Sequence, residues 1–112
     1  MDNLVYSVGE RLTEVKAEKG MCIEEFAEYC DIEFHAMFYL LNNGKRLSTR
    51  EAKKLEKALG VKAKTLLDIQ TDFELKALEF EEQNGYLPNQ ARYLDDYIDG
   101  IEYSDYEESL RR

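Results

Sequence analysis

The stretch Phe26-Ala27-Glu28-Tyr29-Cys30-Asp31-Ile32-Glu33-Phe34-His35-Ala36-Met37 decides how this chain folds. Ile23, Phe26, Ala27 and Cys30 share one face of a short helix over 22–30, with Glu24, Glu25 and Glu28 pointing outward. Asp31 breaks that helix tightly. A second helix over 33–41 carries Phe34, Met37, Phe38 and Leu41, and Asn42-Asn43-Gly44 closes it with residues that accept a left-handed cap. Small Ala27 lets the two helices approach, and Ile32 and Met37 plug the angle between them, which is the packing pattern of a helix-turn-helix unit. Such an angle presents the second helix to a major groove. Phe34 and Phe38, at helical spacing, suit core positions better than an exposed surface.

Outward from this unit the chain reads as more short helices. Leu4, Val5, Val8, Leu12 and Val15 recur at helical spacing in a first helix that Gly20 ends. Ser48-Thr49-Arg50-Glu51 is a capping box opening a fourth helix, with Ala52, Leu55, Ala58 and Leu59 as its buried stripe and Gly60 as its stop. A longer fifth helix over 63–83 runs through Leu66, Leu67, Ile69, Phe73, Leu75, Leu78 and Phe80 until Asn84-Gly85 breaks it. No alternating strand pattern of useful length and no repeat is present. The fold class expected is all-α: a five-helix domain over 1–83, packed around Leu12, Phe26, Ala27, Ile32, Met37, Leu55, Leu59, Leu66 and Ile69, with an acidic, partly helical extension over 84–112. Within that extension, 90–101 could form a sixth helix with Leu94, Tyr97, Ile98 and Ile101 on one face.

At 112 residues, 44% hydrophobic and 35% charged, the chain has the size and composition of one globular domain. The longest apolar run, 37–41, is far below the roughly 20 residues that cross a bilayer, and Met1-Asp2-Asn3-Leu4-Val5-Tyr6 shows no basic leader. A cytoplasmic protein without a membrane partner is expected. Cys22 and Cys30, on one helix, would stand about 12 Å apart, too far for a disulfide. A lone His35 leaves no cluster for zinc. No phosphate-binding glycine loop and no nucleophile–histidine pair stands in context, so neither catalysis nor a cofactor is expected.

Charge is unevenly spread. Residues 1–72 hold 11 Lys+Arg against 13 Asp+Glu, residues 73–112 hold 4 against 11, and residues 45–64 carry a net +6. The total of −9 argues against indiscriminate nucleic-acid binding, but the local basic segment could still hold phosphates.

Here the sequence resembles the lambda-repressor-like (XRE/Cro) helix-turn-helix family, and within it the HigA-type antitoxins. The matching residues are Gly9-Glu10-Arg11-Leu12, Glu25-Phe26-Ala27-Glu28, Leu40-Leu41-Asn42-Asn43-Gly44-Lys45-Arg46, the 48–60 helix, and Thr65-Leu66-Leu67-Asp68-Ile69-Gln70-Thr71-Asp72-Phe73-Glu74-Leu75. The likeness covers about residues 8–79. It implies a homodimer that binds operator DNA and holds a basic ribonuclease toxin. The family fills the start of its recognition helix with Ser, Arg, Gln and Thr, whereas this chain offers Glu33, Phe34, His35, Ala36, Phe38 and Tyr39. Base reading therefore falls to His35, Tyr39, Asn42 and Asn43, and the phosphate grip to Lys45, Arg46 and Arg50.

The net −7 of residues 73–112 suits a basic partner. Five of the eight tyrosines follow residue 85, and Tyr93, Tyr97, Tyr103 and Tyr106 are the expected partner-binding anchors. On that reading, truncation after Gly85 leaves the domain folded. The competing expectation is that the segment folds back and caps the core through Leu94 and Ile98. Two other functions compete with the DNA-binding antitoxin: a helix-turn-helix module that docks protein and has lost DNA reading, and an acidic DNA mimic.

Overall fold

The computed structural model describes residues 6–96. They are all-helical: α1 (Val8–Glu18), α2 (Ile23–Tyr29), α3 (Phe34–Leu41), α4 (Thr49–Leu59), α5 (Ala63–Asn84), and a 3-10 stretch Asn89–Asp96 kinked at Ala91. None of these helices is long and apolar enough to cross a membrane.

Local chemistry sets most helix ends. α1 starts at Val8, later than the apolar periodicity predicts, because Ser7 and Glu10 form a capping box. The Ser7 hydroxyl accepts from the Glu10 N–H at 3.1 Å, and the Glu10 carboxylate accepts from the Ser7 N–H at 3.0 Å. Leu4 and Val5 lie outside the described residues. The predicted Ser48–Glu51 box is present, with the same reciprocal bonds at 3.1 and 3.0 Å. Three successive helices then end in one way. The N–H groups of Gly20 and Met21, of Asp31 and Ile32, and of Asn43 and Gly44 fold back onto the carbonyls of the preceding turn, the paired bonds of a Schellman cap. Each cap needs a left-handed residue. Gly20 adopts it freely, while Asp31 at φ 58° and Asn43 at φ 57° are the two side-chain-bearing residues that do so.

The Asp31 cap seats the turn. It brings the Ile32 N–H to the Ala27 carbonyl at 2.9 Å and drops the Ile32 side chain into the core. Leu12, Phe26, Ala27, Ile32, Met37, Leu55 and Leu66 are all buried as predicted, whereas Leu59 and Ile69 are only partly buried around them. α1 crosses α3 at Gly9, where an added β-carbon would lie 2.6 Å from the Leu40 carbonyl oxygen. α5 is long enough to serve two clusters. Leu66 closes the main core, and Phe73 and Ala77 hold a second one with Leu87, Ala91 and Tyr93. Residues 87–93 therefore pack on α5 as a cap. Leu94 is only partly buried there, and Ile98 lies outside the described residues. Leu75 and Leu78, which the apolar pattern placed inside, face solvent.

Phe34 and Phe38 also depart from expectation. Their relative exposures are 39% and 43%, not those of core side chains. α3 is apolar nearly all round, and α1 and α2 cover only the side that carries Met37, Leu40 and Leu41. Periodicity does not separate two apolar faces of one helix; the position of the neighbouring helices does.

Candidate functional site

The outer side of α3, away from Met37, Leu40 and Leu41, is exposed. His35, Tyr39 and Asn42 are exposed on it. Asn43 sits half-buried in the left-handed cap, and the Asn42 amide nitrogen donates to the Phe38 carbonyl at 2.8 Å. Glu33 heads the helix. One of its carboxylate oxygens accepts from the Ala36 N–H at 3.2 Å and the other lies 2.9 Å from His35 Nδ1. Hydrogen bonding from His35 holds the Glu33 carboxyl below its usual range, so a negative charge stays at the mouth of the helix. Around it the rings form one row: His35 edge-on to Phe34 at 5.4 Å, Phe34 stacked near Phe38 at 6.5 Å, and Phe38 edge-on to Tyr39 at 5.8 Å.

The three cations expected to hold phosphates have separate fates. Lys45 is withdrawn: its side chain is 8% exposed, and its Nζ donates to Glu51 at 2.7 Å and to the Arg46 carbonyl at 2.8 Å. Arg46 turns the other way, with its Nε donating to Glu74 at 2.8 Å. Arg50, in the first turn of α4, is exposed. Lys53 of α4 pairs with Glu56, and Lys54 reaches within 3.9 Å of Asp31, which places the basic helix beside the α2–α3 turn.

Tyr93 is buried, which removes it from any surface offered to a partner. Its hydroxyl donates to the same Glu74 oxygen that Arg46 holds, at 2.9 Å. Burial, reinforced by the adjacent Glu74 charge, pushes the phenol well above its ordinary range. Tyr97, Tyr103 and Tyr106 lie outside the described residues.

Two buried polar residues of α5, Gln70 and Glu74, lie outside the expected site. The Gln70 side-chain amide clamps the backbone of Leu47 from both sides, its oxygen accepting from the N–H at 2.6 Å and its nitrogen donating to the carbonyl at 3.0 Å. Together with Glu74 it ties the α3–α4 loop to α5. The available signal was position: both lie on the same stripe of α5 as Leu66, Phe73 and Ala77, where a polar side chain needs a partner.

Nothing among the described residues groups three His, Cys, Asp or Glu in a metal-binding arrangement. Cys22 is exposed and Cys30 buried, and burial pushes the Cys30 thiol up to about 11, which suppresses its thiolate. No family model, curated protein or solved structure matches this chain.

Proposed function

We propose that this chain is a DNA-binding regulator of the antitoxin type, built as a lambda-repressor-like five-helix domain, that also binds a basic protein partner. The observation that carries this reading is the fixed presentation of α3. Ala27, Ile32 and Met37 are buried between the two helices, while His35, Tyr39 and Asn42 face away from the domain. A helix held rigidly with one face outward is what groove entry requires. Of the expected phosphate contacts, Arg50 is exposed and Arg46 half-buried beside Glu74, while Lys45 is withdrawn onto Glu51. Such a regulator works in the cytoplasm and as a homodimer, whose two α3 helices meet half-sites about one helical turn apart.

The test is a mobility shift with the gene's own upstream duplex at low and moderate salt. Binding should weaken steeply as salt rises. Arg50→Ala should weaken it alike on every sequence, and Tyr39→Ala should change the preference among sequences. A duplex unshifted at low salt overturns the DNA half of the proposal.

A second reading, a docking module that does not read DNA, is favoured by one observation. Residues 22–44 hold Glu24, Glu25, Glu28, Asp31 and Glu33 and no Lys or Arg. Phosphates approaching α3 meet that charge first. Both readings share a basic protein partner.

A further inference from the structure

The aromatic row on α3 is an apolar surface that the described domain leaves uncovered. Phe34, Phe38 and Tyr39 are 39–43% exposed, and Tyr29 at the end of α2 is 46% exposed. Scattered single apolar residues need no explanation, but here the rings touch and run along one helix.

Charge selects the occupant. The α2–α3 unit carries five carboxylates without a lysine or arginine of its own; all five acids are exposed, and one, Asp31, has Lys54 of α4 at 3.9 Å. A nucleic acid brings phosphates of the same sign. A second copy, meeting this one face to face across a two-fold axis, would set five carboxylates against five. The chain's own residues 97–112 hold five Asp and Glu against two Arg, again of the repelled sign. What remains is a cationic protein surface, whose arginines and lysines gain both from the carboxylates and from the faces of the rings. The chain already makes one such contact with itself: Lys19 Nζ sits 4.9 Å from the centre of the Tyr29 ring, in a shallow hollow lined also by Glu25 and Glu28.

We infer that the outer face of α3 docks a cationic amphipathic helix of a partner protein, with Phe34 and Phe38 packing its apolar stripe and Asp31 and Glu33 meeting its positive residues. A linear ridge of side chains at i and i+4 fits alongside another helix. This inference rests on the second reading above, a docking module that does not read DNA, and moves the contact from the tyrosine-rich extension to α3.

The experiment is an NMR titration of the full chain with a short Leu/Arg helical peptide, and with the same peptide carrying Glu for Arg as control. Shifts should concentrate in residues 22–44 for the arginine peptide and be absent for the control. Phe34→Ser with Phe38→Ser should weaken binding about tenfold or more. Should that variant melt early, Asp31→Asn with Glu33→Gln keeps the turn and the cap and should still weaken binding several-fold. Shifts confined to residues 73–112 would overturn this inference and leave the basic-partner reading standing; no binding anywhere would overturn both. Displacement of α3 signals by an upstream duplex, with no response to the peptide, would assign the face to nucleic acid.

Discussion

Gly9 has room for no side chain. A β-carbon there would sit 2.6 Å from the Leu40 carbonyl oxygen and 2.6 Å from Asn43 Oδ1. The amide can rotate away, but the carbonyl belongs to the α3 backbone and moves only with the helix. Gly9→Ala should cost about 1–3 kcal/mol, read as a lowered melting midpoint; an unchanged midpoint would mean that α1 and α3 do not approach this closely. At Tyr93 the sign of a pH effect follows from burial. The folded phenol titrates above its ordinary value of 10.0, so its contribution to stability is complete below about pH 10 and is lost as the pH rises beyond. Tyr93→Phe should cost about 1 kcal/mol at neutral pH, by taking a hydrogen bond from a buried carboxylate. It should also flatten the alkaline fall of the melting temperature relative to the wild type; an identical alkaline slope in both proteins would sink this account.

At the scale of elements, the α2–α3 pair and its turn were legible because their determinants are local. Ala27, Asp31 and Ile32 lie within six residues, and the cap that joins them is a backbone pattern with one left-handed position. Ala27→Leu should wedge α2 and α3 apart and cost about 1–3 kcal/mol by denaturant unfolding, because Ala27 is buried where the helices meet. No loss of stability would contradict the close packing. The outer side of α3 was legible only in part. His35, Tyr39 and Asn42 are exposed, whereas Lys45 and Arg46 are held in ion pairs. Their partners, Glu51 and Glu74, sit on two later helices, and a sequence does not show which of two nearby carboxylates or phosphates a lysine will choose.

At the scale of the molecule, the described residues after Gly85 belong to the packed domain. Leu87, Ala91 and Tyr93 are buried against Phe73 and Ala77, so truncation after Gly85 should lower stability by roughly 3–5 kcal/mol. A fragment ending at Gly85 that melts with the full chain would show that the second cluster contributes nothing. What the sequence by itself determined is the five α-helices and most of their ends: Ser48–Glu51, Gly20, Asn43, Gly60 and the buried stripe through Leu12, Phe26, Met37 and Leu66. These depend on interactions within a turn or two of chain, where spacing and side-chain chemistry suffice. Only the tertiary structure decided that Phe34 and Phe38 face water, that Gln70 and Glu74 are buried linkers, and that Tyr93 is core. Each of these depends on which other helix comes to lie against the residue, and local periodicity carries no record of that.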